Sequence, residues 1–133
     1  AVVLALTSNE GARDFQFLSS EGEVPLFESV VKKCLNWGSS ENLMFVVGAT
    51  RSQDIAKIRA LAPDHFFLVP GIGAQGGSLD EVVKYGMNSD CGLLVNSSRG
   101  IIYSDSSQNF AVSAKKEASK IQSEMELHLR RLH

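Results

Sequence analysis

Nine residues, Pro70-Gly71-Ile72-Gly73-Ala74-Gln75-Gly76-Gly77-Ser78, place four glycines within seven positions directly ahead of a helix-starting pattern. Glycines tolerate positive φ and close backbone approach, and amides ahead of a helix N-terminus suit an anion such as a phosphate ester. A second polar cluster, Asn96-Ser97-Ser98-Arg99-Gly100, follows the next apolar run. There Arg99 can grip phosphate oxygens through its planar fork, and Ser98 and Gly100 add backbone amides. Gly71, Gly73 and Gly76 also satisfy G-x-G-x-x-G, the dinucleotide fingerprint. The acidic residue that should close the following strand is absent, although Arg99 keeps an NADP-type reading open. Thr7-Ser8-Asn9, after the first apolar run, offers a hydroxyl for polar recognition or for a turn.

Other reactive side chains carry less. His65, His128 and His133 have no metal-ligand spacing and are expected to face solvent; no metal site is expected. Cys34 and Cys91 have no Cys-x-x-Cys partner, which excludes a zinc knuckle and argues for reduced thiols in a cytoplasmic protein. Cys34 and Trp37 are expected to pack, whereas Lys115, Lys116, Lys120, Arg130 and Arg131 read as a solvated helix face.

The elements that must position these groups follow a strand–helix rhythm. Four continuously apolar runs, Val2 to Leu6, Leu43 to Val47, Phe66 to Val69 and Leu93 to Val95, suit parallel strands covered on both faces. Between them, Leu26, Phe27, Val30, Val31, Cys34 and Leu35 recur at helical spacing, as do Leu79, Val82, Val83, Gly86 and Met87. Ile55, Ile58 and Ala62 mark a shorter helix ended by Pro63, and Ser78 with Glu81 forms a capping box. A last helix sets Phe110, Ala114, Ala118, Ile121, Met125, Leu129 and Leu132 at steps of three and four. Strand starts near residues 2, 43, 66 and 92 recur at intervals of about 30 residues, the length of a βα unit.

The fold class is therefore α/β, with four βα units in one domain over 1–133. Such a set is either half of a (β/α)8 barrel or a small open doubly wound sheet. Phosphate sites of barrels often lie between the loops after strands seven and eight, so the two clusters favour the half barrel, with these strands as numbers five to eight. A formal charge of −2, from 13 basic and 15 acidic groups in 133 residues, gives no field for binding nucleic acid. No apolar run approaches the ~20 residues of a membrane helix. The start at Ala1, running straight into an apolar strand, reads as part of something larger.

Taken together, Thr7-Ser8-Asn9, Gly48-Ala49-Thr50, Pro70 to Gly77 and Ser98-Arg99-Gly100 resemble the orotidine 5′-phosphate decarboxylase family, in order and near its spacings. The resemblance is to its C-terminal half and to its longer-chain bacterial branch. It implies the conversion of orotidine monophosphate to uridine monophosphate and CO2 in pyrimidine biosynthesis, with no cofactor and no metal. It further implies that Ser8 contacts the pyrimidine edge and Pro70 packs by the ring. Gln75 would bridge phosphate and base from a closing loop that includes Gly76 and Gly77. Arg99 would hold the phosphate beside the amides of Ser98 and Gly100, Ser98 standing where many relatives have Gly. The family's catalytic Asp-x-Lys-x-x-Asp run is absent: none of the six Asp residues is followed two positions later by Lys. No catalytic residue is therefore expected in this chain, which should bind but not decarboxylate alone. Its expected partners are the N-terminal half of the barrel and a second copy in a homodimer. Two other readings stay open: a self-pairing half-barrel module that binds a phosphorylated ligand, and an NADP-type nucleotide domain.

Overall fold

The computed structural model describes residues 1–19, 23–73 and 76–132. Four parallel strands, β1 (Val2–Leu6), β2 (Met44–Val47), β3 (Phe67–Pro70) and β4 (Leu93–Asn96), form one sheet in the order β1-β2-β3-β4. Every crossover leads to the next neighbour. A doubly wound sheet would reverse direction at a switch point, and this one does not.

Register explains the core. Phe45, Phe67 and Leu93 pair in one row across the sheet, and Val69 pairs with Val95 one step further along. This face meets α2 (Leu26–Cys34), α3 (Ser52–Leu61) and α4 (Leu79–Gly86), which contribute Phe27, Val31, Ile55, Ile58 and Val82, all fully buried. Burying side chains of this size stabilises the fold by about 1.5–3 kcal/mol each. The alternate row, Leu4, Val46, Leu68 and Leu94, lies on the other face. There Leu4 and Leu94 are 57% and 49% exposed, so the strands are covered on one face only, not on both as their apolar runs predict.

The predicted helices form with small shifts. In α2 the buried positions are Phe27, Val31 and Cys34, whereas Leu26 turns outward. Ser78 caps α4 by accepting from the Glu81 amide at 3.4 Å; only that half of the box is formed. Two short helices, α1 (Ala12–Phe15) and α5 (Ser98–Ile102), are too brief for periodicity to reveal. The long α6 (Phe110–Leu129) has no buried residue. Its stripe at Ile121, Met125 and Leu129 instead faces Leu93, Leu94 and Val95 across an apolar groove of about 460 Å3 beside edge strand β4.

Three histidine and tryptophan expectations need correction. Trp37 lies past the end of α2 in a turn that carries it off the sheet, and it is 72% exposed rather than packed. His65 does not face solvent: it precedes β3 and is buried, its ring 5.6 Å from that of Phe45. His128 is also largely covered, with Nε2 2.9 Å from Asp80 Oδ1. His133 lies outside the described residues. No described helix is long and apolar enough to cross a membrane.

Candidate functional site

Because the strands are parallel and adjacent in order, the four loops that follow them emerge at one end of the sheet. They are also joined side by side. After β1, Ser8 lies against Gly48, the residue after β2; a Cβ at Gly48 would stand 2.1 Å from Ser8 Oγ and 2.8 Å from Ser8 N. Only glycine fits. Next to it, Ala49 N donates to Pro70 O at 3.0 Å, and a Cβ on Gly77 would lie 2.5 Å from Ala49 Cβ. Gly71 N donates to Asn96 O at 3.3 Å, and the buried Ser97 hydroxyl donates to Ile72 O at 3.0 Å. Ser8, the Gly-Ala-Thr turn, the glycine turn and the arginine turn thus form one continuous rim.

The glycine turn spends its own amides. Gly73 N donates to Gly77 O at 3.1 Å, Gly76 N to Gly73 O at 2.8 Å and Gly77 N to Gly71 O at 3.3 Å, with positive φ at Gly71, Gly73 and Gly76. Gly76 and Gly77 therefore shape the turn and, in this conformation, do not offer donors to an anion. Gln75 lies outside the described residues. At the β4 end of the rim the donors include the Arg99 side chain and the first amides of α5, whose N-cap Ser97 makes no side-chain cap. Ser98 directs its hydroxyl to Asn96 Oδ1 at 3.1 Å.

Pro70, Gly71, Ile72, Asn96, Ser97, Ser98 and Arg99 enclose a hollow of about 60 Å3. That is far below the roughly 300 Å3 or more of a pocket for a whole small-molecule ligand, so the hollow suits one polar group such as a phosphate. Pro70 pairs with Asn96 on the same row parity as Leu68, which turns its ring toward the uncovered face of the sheet. Gly77 and Gly100 line a neighbouring hollow that opens toward Lys120 and Glu124 of α6, so Gly100 is set apart from the Pro70–Arg99 hollow.

At the β1 end, Ser8 Oγ is buried and has no partner among the described residues. A buried unpaired hydroxyl is costly, which makes Ser8 the candidate recognition group at this end. Strands stand about 4.8 Å apart, so Ser8 and the hollow between the β3 and β4 turns are separated by roughly 10–14 Å along the sheet, a span of nucleotide scale. Two further residues belong to this end and carry no sequence signal. Arg51 places its guanidinium 5.3 Å from the centre of the Phe17 ring, and Gln16 bonds Thr7. Among the described residues no group of three His, Cys, Asp or Glu could hold a metal ion.

No protein-family model matches the chain. It is 57% identical over 125 residues to the orotidine 5′-phosphate decarboxylase of Phocaeicola vulgatus, covering 94% of this chain and 46% of that protein. Among solved structures, the Leishmania donovani UMP synthase superposes with a TM-score of 0.75 at 40% identity, covering 92% of this chain and 27% of the other. The Leishmania donovani OMP decarboxylase gives 0.73 at 35% identity over 92% of this chain and 46% of its own. The four βα units thus correspond to half of a (β/α)8 barrel of this kind, and the chain spans about half the length of the curated relatives it matches.

Proposed function

We propose that this chain is the phosphate- and pyrimidine-binding half, strands five to eight, of an orotidine 5′-phosphate decarboxylase. The observation that carries the reading is the unbroken rim from buried, unpartnered Ser8 Oγ to the Arg99 hollow across four strand ends. In it Arg99 and the α5 amides hold the 5′-phosphate, Pro70 lies against the ring, and Ser8 bonds the pyrimidine edge. The similarity to decarboxylases at 57% identity supports the assignment. The proton-transfer groups belong to the other half of the barrel, since this chain holds no Asp-x-Lys-x-x-Asp run.

The contribution of this half is binding energy. Decarboxylation without an electron sink rests on electrostatics at the reacting carbon and on binding energy drawn from the remote phosphate. The complete enzyme acts in the cytoplasm as a homodimer, on orotidine monophosphate.

Kinetics of the full-length protein test this directly. Orotidine monophosphate is turned over, and Arg99→Ala lowers kcat/KM by about 3 kcal/mol, on the order of a hundredfold. A loss below ~1 kcal/mol, or stronger binding of NADP than of uridine monophosphate, would sink the assignment.

A further inference from the structure

The bond that places Ser8 is not made by Ser8. β1 contains a register irregularity: Leu4 pairs with Val46 and Leu6 with the very next residue, Val47, so Ala5 is the extra residue of a bulge. Bulges disturb the ladder and re-aim the residues beyond them, here Thr7 and Ser8. Past the bulge, the Thr7 amide is taken up by a side chain, Gln16 Oε1, at 2.9 Å. The same carboxamide returns a bond, Gln16 Nε2 donating to Thr7 Oγ1 at 2.9 Å. Both ends of one amide group are therefore spent on the residue that precedes Ser8. Gln16 itself is fixed on both sides: its N–H donates to Ala12 O at 2.8 Å, and its carbonyl accepts from Phe27 N at 3.0 Å. Phe27 is fully buried, so the clamp is anchored in the core.

From this we infer that Gln16 is a positioning residue for base recognition: through Thr7 it holds the Ser8 hydroxyl at the pyrimidine edge. The inference rests on the proposed function. The Ser8 hydroxyl lies in a slot bounded by Gly48, makes no hydrogen bond among the described residues, and is constrained through the two-point amide clamp on Thr7. The phosphate end, built on β3 and β4, does not depend on it.

The test compares two ligands on the full-length protein: uridine monophosphate, which uses both ends of the site, and ribose 5-phosphate, which uses only the phosphate end. Gln16→Met, of similar size and without either bond, should weaken uridine monophosphate tenfold or more and change ribose 5-phosphate less than twofold. Gln16→Glu should recover affinity to within about threefold, because a carboxylate accepts from both the Thr7 amide and the Thr7 hydroxyl. Equal weakening of the two ligands would show a merely structural role and overturn the inference. So would unchanged affinity for uridine monophosphate. If Gln16→Met does not fold, Thr7→Val, which removes the hydroxyl half of the clamp, is judged by the same selective loss. A wild-type protein that binds ribose 5-phosphate but no pyrimidine nucleotide brings down the proposed function itself. An indifferent Gln16→Met in a protein that does bind the nucleotide brings down only the role of Gln16.

Discussion

At the lower end of β3, opposite the rim, one imidazole is held dry. Both ring nitrogens of His65 are buried and have no partner among the described residues, and burial lowers its pKa from the usual 6.5, with Arg59 adding to the effect and Asp64 opposing it. As pH falls through the ordinary histidine range, the unfolded chain takes up a proton that the folded one refuses, so stability drops with acidification. Thermal unfolding of the full-length protein between pH 8 and pH 5.5 should show this slope, and His65→Phe, which keeps a ring beside Phe45, should flatten it. Equal slopes would count against this role for His65. Residue type was informative where it dictates backbone conformation. The glycines after β3 do take positive φ at Gly71, Gly73 and Gly76. It failed for His65 and Trp37, because burial is decided by where neighbouring elements end, which no spacing records.

Among the elements, one bond set ties α3 to the turns that lead into β3 and β4 at the lower end. The Arg59 guanidinium donates to the carbonyls of Gly86 at 2.7 Å, Ala62 at 3.0 Å, Pro63 at 3.1 Å, His65 at 2.6 Å and Gly92 at 2.9 Å. Its Cζ sits 3.7 Å from the centre of the Phe67 ring. Burial lowers its pKa to about 10, so it remains charged at neutral pH. A lysine ammonium, with three donors on one atom, cannot span these five carbonyls, so Arg59→Lys should cost about 2 kcal/mol and Arg59→Met about 4 kcal/mol in urea unfolding. Affinity for uridine monophosphate should stay unchanged, since the rim lies at the other end. A cost under ~1 kcal/mol for Arg59→Met would show that the carbonyls find other partners. The apolar runs and helical stripes were legible because they follow the periods of strand and helix. The short α1, which leads into the clamp residue Gln16, was not, since four residues cannot show a period.

For the whole molecule, the βα rhythm alone fits both an arc of a barrel and a doubly wound sheet, and only the two polar clusters favour the arc. Strand order separates them, and order is set by packing between units rather than within any one. The uncovered row Leu4, Val46, Leu68 and Leu94 is the inner face of that arc, and the apolar groove beneath α6 runs beside its β4 edge. On the proposed function, the nucleotide stretches over that face from one end of the rim to the other. A crystal structure of the full-length protein with uridine monophosphate measures this span directly. The phosphate is expected within about 3 Å of the Arg99 guanidinium, in the hollow beside Pro70 and Ser98, and the pyrimidine edge on Ser8 Oγ. A nucleotide bound with its phosphate away from Arg99, or with its base turned from Ser8, would refute the shared rim.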